Sequence, residues 1–101
     1  MVLLAILRRG DEAHAVSVLD ELDERAGRTV SRGALYKTLE RMEGKGWVSW
    51  DVDETDVPER GGLPRRRFRL TGEGLAVVRS ADAAYRRLRE GLGDALSEPP
   101  S

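Results

Sequence analysis

The chain has 101 residues, of which 40% are hydrophobic and 35% charged, a size that suits one domain with a modest core and excludes several lobes. Its net charge of −1 argues against a surface that is positive throughout, and the absence of cysteine excludes disulfides, thiolate zinc sites and a cysteine nucleophile. The longest apolar run, residues 2–7, is far shorter than the roughly 20 residues that cross a bilayer and has no secretory cleavage site, so we expect a cytoplasmic protein that contacts no membrane.

The first quarter of the chain predicts two helices. Residues 2–8 form a short apolar segment that Gly10 stops. Asp11 is the expected N-cap of the second helix, since its carboxylate can accept backbone N–H groups. That helix should end at Gly27, where a left-handed C-cap is expected. Its apolar face has Ala15, Val18, Leu19, Leu22 and Ala26 at helical spacing, and its polar side carries Asp20, Glu21, Asp23 and Glu24.

A third helix is predicted from Ser31, a natural N-cap, to Gly46. With a turn of about 100° per residue, its apolar residues Leu35, Leu39 and Met42 cluster on one face. One side of this helix is therefore expected to be buried while the other stays open to a partner. That open side is small and largely basic, with Gly33, Lys37, Glu40, Arg41 and Gly44.

Two strands and a loop follow the third helix. Residues 47–52 are rich in aromatic and branched side chains, and residues 65–70 alternate charged with apolar side chains at their end, so both segments predict strands. The residues between them, 53–64, have the composition of a loop, with Pro58, Gly61, Gly62 and Pro64. We expect a hairpin with a long, exposed loop.

Thr71 is expected to cap a last helix that runs to residue 96, with a disordered tail at 97–101. Apolar residues repeat along this helix at steps of three and four, a mean period of about 3.5 that is typical of a coiled-coil seam. This seam predicts a partner helix. It comprises Val78, Ala81, Tyr85, Leu88, Leu92 and Ala95.

Charge is distributed unevenly along the chain. Residues 11–24 hold six acids and no lysine or arginine, residues 51–59 hold five acids and no base, and residues 60–69 hold five arginines and no acid. This asymmetry indicates an anionic partner on one side, with the acidic segments facing away from it or screened from it. A merely solvated surface is the alternative.

No residues in the sequence form a recognisable catalytic set. His14 has no carboxylate or serine companion at a familiar spacing, and it is more simply a structural residue at the start of a helix. Gly61 and Gly62 lack the lysine and the serine or threonine of a phosphate-binding loop. We therefore expect no enzymatic activity, no metal and no cofactor.

The predicted order of elements is that of a winged helix-turn-helix, in which the third helix can enter the major groove of DNA and the hairpin flanks it. The expected fold class is α+β, mostly α, with a two-stranded wing. Residues 1–70 would form the DNA-binding region, and residues 71–96 a C-terminal dimerisation helix in the same compact domain. A winged helix that docks proteins without binding DNA is the alternative. A metal-sensing winged helix is a weaker alternative, since the chain offers few metal ligands.

Two blocks of sequence resemble the PadR family of transcriptional regulators. The first comprises GALY at 33–36, LERME at 39–43 and GWV at 46–48, and the second is GLPRRRFRLTGEG at 62–74. Lys37 stands where that family usually has proline, and Arg67 and Phe68 occupy the positions of its paired tyrosines. The resemblance implies a DNA-binding regulator, which we expect to be a repressor that binds a pseudo-palindromic operator as a homodimer.

The expected contacts with double-stranded DNA lie on the third helix and on the returning strand of the wing. The start of the helix should meet base edges and its later cations the DNA backbone, while the strand's arginines should grip phosphate or the minor groove. Ion pairing with Glu40 or Glu43 is the alternative for the helix cations. Core packing is the alternative for Tyr36, whose hydroxyl the resemblance places near a phosphate. The full set is Ser31, Arg32, Ala34, Tyr36, Lys37, Thr38, Arg41, Lys45, Arg65, Arg66 and Arg67.

Dimerisation is expected because one recognition helix reads few base pairs and the last helix carries an unpaired apolar seam. A last helix that folds back on its own domain is the alternative. Some members of the resembled family bind flat aromatic ligands at the dimer interface, so Trp50 is the candidate contact for a small aromatic effector. The residues that should pack across a two-fold axis, and against the first helix, are Leu75, Val78, Ala81, Tyr85, Leu88 and Leu92.

Overall fold

The computed structural model describes residues 1–53 and 65–97. It is mostly helical with a two-stranded antiparallel sheet, which confirms the predicted fold class of a winged helix-turn-helix. Residues 54–64 of the predicted loop and residues 98–101 of the predicted tail lie outside the described residues. In chain order the elements are α1 (Val2–Arg9), a 3-10 turn (Gly10–Glu12), α2 (Ala15–Ala26), α3 (Arg32–Gly44), β1 (Val48–Asp53), β2 (Arg65–Leu70), α4 (Gly72–Arg89) and α5 (Gly93–Ser97).

The core lies where the first three helices meet the hairpin. Val18 of α2 and Leu35 of α3 are completely buried, so the two helices of the helix-turn-helix share one core. Burial of a side chain of this size stabilises the fold by about 1.5–3 kcal/mol. The buried apolar set is Leu3, Ala5, Ile6, Ala13, Ala15, Val18, Leu22, Leu35, Leu39, Val48 and Phe68.

Helix α2 begins later than the sequence predicts. Asp11 lies in the 3-10 turn and is exposed, and the N-cap is His14, whose backbone N–H donates to Ser17 Oγ at 2.9 Å. The Phe68 N–H of β2 donates to the Ala13 carbonyl at 2.8 Å and fixes the chain just before the helix. The assignment of Asp11 as N-cap was therefore wrong. The bond from Phe68 to Ala13 joins residues that are distant in sequence, so no local pattern around Asp11 could reveal it.

The other predicted helix caps are confirmed. Gly27 ends α2 in the left-handed conformation, with φ 63° and ψ 27°. Ser31 Oγ accepts from the Ala34 N–H at 3.1 Å at the start of α3. Helix α3 ends at Gly44, two residues before the predicted position. These caps set the turn between α2 and α3, and so set the direction in which α3 presents its exposed side.

The start of α4 is fastened to the junction between α3 and β1. Thr71 Oγ1 accepts from the Gly74 N–H (3.0 Å) and donates to the Gly46 carbonyl (2.6 Å). The Thr71 N–H donates to the Trp47 carbonyl at 3.0 Å. A Cβ on Gly74 would overlap the Trp47 carbonyl oxygen, so only glycine allows this approach. The second sequence block therefore ends in a junction that holds α4 against the hairpin.

The last helix is interrupted, so the prediction of one helix from Thr71 to residue 96 was wrong. Helix α4 ends at Arg89, and Gly91 adopts a left-handed φ of 78° before α5 begins. Glycine is a poor helix former and costs about 1 kcal/mol relative to alanine, which explains a break that the spacing of apolar residues does not reveal. Ser97, predicted to begin the tail, is the last residue of α5. Neither α4 nor any other helix within 1–53 and 65–97 combines the length and apolar character of a membrane span.

Candidate nucleic-acid interface

The exposed side of α3 carries cations that the protein itself leaves available. Arg32, Lys37 and Arg41 are all exposed, and none of them forms an ion pair within the described part of the chain. The alternative that Glu40 or Glu43 neutralises Lys37 and Arg41 is therefore not what the structure contains. Ala34 is exposed on the same helix and adds little bulk. Lys37 and Arg41 outnumber the exposed Glu40 on this side of α3, so it is largely basic and a polyanion can approach it closely.

Other predicted contact residues already have interactions inside the protein. The Ser31 hydroxyl caps α3, and Thr38 Oγ1 donates to the Ala34 carbonyl at 3.1 Å. Tyr36 is half-buried and packs against the core, as the alternative reading of this residue held. The Lys45 ammonium lies 4.6 Å from the centre of the Trp47 ring. The role of these residues in DNA contact stays a prediction.

The arginines of β2 are partly neutralised by acids of β1. The strand register places Asp51 opposite Arg67 and Asp53 opposite Arg65. Arg67 donates to both oxygens of Asp51, at 3.2 and 2.9 Å, and Arg65 Nε lies 3.9 Å from an oxygen of Asp53. The sequence left two arrangements open for these acids, in which they face away from an anionic partner or are screened from it. Their pairing with arginines of β2 supports the second.

Arg66 differs from its neighbours on β2. Its side chain is exposed, and its guanidinium lies over the Trp50 ring, 4.5 Å from the centroid. A cation over an aromatic face keeps its charge and its outward hydrogen-bonding groups. Among the predicted wing contacts, Arg66 is thus the one that no acid of the described residues holds.

The pair between Asp51 and Arg67 persists at neutral pH. Hydrogen bonds from the Arg67 guanidinium hold the pKa of Asp51 below its ordinary value of 3.8, and nearby charges on Arg67 and Arg69 act in the same direction. A carboxyl group with a lowered pKa keeps its interaction above its ordinary pKa and loses it as the pH falls through the lowered value. The pair is consequently intact over the physiological range.

His14 has a buried carboxylate partner that the sequence did not reveal. Its Nε2 lies 2.8 Å from Asp53 Oδ2, and the two residues are only 6% and 9% exposed. The bond ties the start of α2 to the last residue of β1, at the end of the hairpin opposite the Val48–Leu70 pair. His14 has no companion at a familiar spacing in the sequence, and this long-range partner comes from the fold. Asp53 lies 39 positions away in an acidic run that is otherwise typical of solvated surface, so no local signal could have found it.

Glu21 forms ion pairs with three arginines outside the candidate interface. Arg9, Arg25 and Arg8 lie 2.9, 3.1 and 3.6 Å from its carboxylate oxygens. The sequence placed Glu21 on the polar side of α2, but the residue is buried. These contacts link α1 to α2 and explain how a carboxylate can lie in the protein interior.

The predicted dimerisation seam divides into two parts. Leu75 and Val78 are half-buried, and Val78 packs against the domain's own core, as the alternative of folding back requires. Beyond them Tyr85 and Leu88 are 60% and 77% exposed, and Leu92 is exposed after the break. Helix α1 also exposes apolar side chains, Leu4 and Leu7. Two apolar surfaces, on α1 and at the end of α4, are thus exposed in the described chain.

Trp50 already has two contacts within the protein. Its Nε1 donates to Glu43 Oε1 at 3.1 Å, and Arg66 covers one face of the ring. Contact with an aromatic effector stays a prediction. In the described ranges, no three His, Cys, Asp or Glu side chains come together in a way that could hold a metal ion.

Comparisons with known proteins agree on one family. A family model described as "Transcriptional regulator PadR-like family" matches residues 3–80. A PadR family transcriptional regulator from Eggerthella lenta DSM 2243 is 27% identical, with a TM-score of 0.69 and coverage of 97% of this chain and 82% of that chain. No match was found among curated proteins.

Two further solved structures are similar in fold. A PadR family transcription regulator from Clostridium difficile R20291 has 22% identity and a TM-score of 0.75, and covers 95% of this chain and 96% of its own. A PadR-like transcriptional regulator from Bacillus cereus strain ATCC 14579 has 17% identity and a TM-score of 0.71, with 93% and 89% covered. At these identities the two structures support the fold alone.

Proposed function

The chain belongs to the PadR-like family of transcriptional regulators, and we propose that it binds double-stranded DNA as a homodimer and represses transcription from a pseudo-palindromic operator. The observation that carries this proposal is the exposed side of α3, where Lys37 and Arg41 are free of ion pairs within the described residues, together with the unpaired Arg32 at the start of the helix. Cations that a protein leaves unpaired on its surface suit the phosphates and base edges of a duplex.

Helix α3 acts as the recognition helix. Its first turns present Arg32, Ala34 and Lys37 to base edges in the major groove, because the N-terminal part of a recognition helix lies deepest in the groove. Arg41 lies one turn later and contacts the DNA backbone, together with Lys45 at the end of the helix. Sequence preference therefore depends on the start of α3 and general affinity on its end.

The wing supports this contact from the side. Arg66 is exposed and held over Trp50, so it meets phosphate or the minor groove first. Arg65 and Arg67 lie on the same strand and approach DNA only in competition with Asp53 and Asp51. The His14–Asp53 bond holds the end of β1 in place relative to α2.

Two copies associate through the apolar surfaces that one chain leaves open. Tyr85, Leu88 and Leu92 of one protomer pack against Leu4 and Leu7 in the other, since each surface is apolar and exposed in the single chain. A two-fold axis through such an interface places two recognition helices about one DNA turn, roughly 34 Å, apart. An operator with inverted half-sites follows from this symmetry.

Selection of bound sequences from a pool of random duplexes tests the proposal. The expected result is an inverted repeat whose half-site centres are separated by about 10 base pairs. Retention of duplexes without an enriched sequence would contradict operator recognition. No retention even at low salt would contradict DNA binding and favour a winged helix that docks another protein.

A further inference from the structure

Asp51 accepts hydrogen bonds from two arginines of the wing. Arg67 donates through Nε to Oδ1 at 3.2 Å and through Nη2 to Oδ2 at 2.9 Å, and Arg69 Nη2 donates to Oδ2 at 3.3 Å. Because the strand register sets Asp51 directly opposite Arg67, this pairing is a property of the hairpin itself. The Asp51 side chain is 47% exposed, so an approaching polyanion can reach the pair.

Some other basic side chains of the protein differ from Arg67 and Arg69 in having no carboxylate partner among the described residues. Lys37 and Arg41 on α3 have no ion pair within the described residues, and Arg66 is held only by the Trp50 ring. Cations on the same protein are thus of two kinds, available ones and ones that a carboxylate already holds. Arg67 and Arg69 are held, and both lie on the strand that pairs with β1.

We propose that Asp51 is an internal competitor of DNA phosphate, which holds Arg67 and Arg69 in the free protein and so weakens the binding of the wing to DNA of any sequence. This inference rests on the proposed DNA-binding function. A carboxylate and a phosphate offer the same pair of oxygens to a guanidinium fork, so a phosphate can bind Arg67 only by displacing Asp51. The carboxylate also repels phosphate as long as it remains beside the arginines.

The consequence is a lower affinity of the wing for DNA of any sequence. The duplex backbone attracts any exposed cation, and this sequence-independent attraction dominates non-specific binding. Holding two arginines on a carboxylate removes them from that attraction without removing them from the protein. The Asp51 carboxyl is charged at neutral pH, because its ordinary pKa of 3.8 is already far below 7 and Arg67 lowers it further.

A double-mutant cycle on binding to a labelled random-sequence duplex tests the competition. Asp51→Asn should raise the affinity about 3- to 10-fold in about 50 mM salt and steepen the salt dependence by about one to two units of slope, because one or two arginines gain phosphate contacts. Arg67→Ala should have little effect in the wild type. In the Asp51→Asn background, the same change should remove most of the gain.

Two controls separate competition from a loss of one negative charge. Asp82→Asn also removes an acid and releases an arginine, Arg86, from an exposed ion pair of 3.1 Å on α4, and it should leave the affinity unchanged. Asp51→Glu retains the negative charge and, unlike Asp51→Asn, should bind the random duplex with the affinity of the wild type. If Asp51→Asn lowers the melting temperature, Asp51→Ala is measured instead. It also removes the carboxylate, so it should likewise bind the random duplex more tightly than the wild type.

The outcomes distinguish this inference from the proposed function. An Asp51→Asn protein that is folded and binds the random duplex no more tightly than a binding-competent wild type would overturn the competition and leave DNA binding intact. An equal gain in Asp82→Asn would reduce the effect to net charge and would overturn it as well. A wild type that binds no duplex at low salt would overturn the proposed function itself.

Discussion

Replacing Gly74 by alanine should destabilise the protein, although alanine is the better helix former. The added Cβ would overlap the Trp47 carbonyl oxygen and lie 2.9 Å from its carbonyl carbon, whereas ordinary contacts begin at 3.4 Å. The atoms that collide are the new Cβ and the backbone of Trp47, so no side-chain rotation makes room. The start of α4 must therefore move away from the end of α3, and this movement strains the bonds that Thr71 makes to Gly46 and Trp47.

The size of the effect follows from three contributions. Overpacking against a rigid neighbour costs about 1–3 kcal/mol, and a weakened hydrogen bond costs about 1 kcal/mol more. The better helix propensity of alanine offsets about 1 kcal/mol. We therefore expect Gly74→Ala to lower the free energy of unfolding by about 1–3 kcal/mol.

Urea unfolding at a fixed protein concentration, followed by tryptophan fluorescence and far-ultraviolet circular dichroism, measures this loss. Gly72→Ala is the matched control, because it lies in the same helix and a Cβ there has no neighbour within 4 Å. The control should be as stable as the wild type, or more stable by up to about 1 kcal/mol. Equal unfolding midpoints for the two variants would refute the close packing of α4 on Trp47.

Three further predictions concern the DNA preference, the dimer and the buried pair. Lys37→Ala should reduce the preference for selected over random duplexes in competition binding. If the variant loses affinity equally for selected and random duplexes, Lys37 contacts the DNA backbone and not the bases. Leu88→Glu should convert dimers to monomers in sedimentation velocity, because it places a charge in the apolar interface, and a wild type already monomeric at micromolar concentration would contradict the homodimer. Asp53→Ala should lower the free energy of unfolding by about 1–3 kcal/mol because it leaves the buried His14 unpaired, and an unchanged urea midpoint would contradict this role.

Local signals in the sequence predicted most of the elements. Gly27, Ser31 and Thr71 act as caps within one turn of their own helix, so residue type and position were sufficient to find them. The two strands were found from their composition, to within one residue at either end of β1. The basic side of α3 was visible as a helical pattern because the buried side is apolar.

Contacts between distant parts of the chain were out of reach of the same signals. The N-cap of α2 depends on a bond from Phe68, and His14 finds its carboxylate 39 positions later. Glu21 and Asp51 belong to acidic runs that are typical of solvated surface, yet one lies buried among arginines and the other pairs across the hairpin. Composition gives the charges of such residues, and only the fold determines which opposite charge each one meets.

The most direct test of DNA binding by α3 is the salt dependence of affinity for a random duplex, compared between two double variants. Lys37→Ala with Arg41→Ala removes cations of α3, and Arg79→Ala with Arg87→Ala removes the same charge from exposed positions of α4. We expect the α3 variant to lose about 0.9 units of slope for each phosphate contact removed, while the α4 variant keeps the wild-type slope. A wild-type slope in the α3 variant would contradict the claim that this helix face holds the duplex.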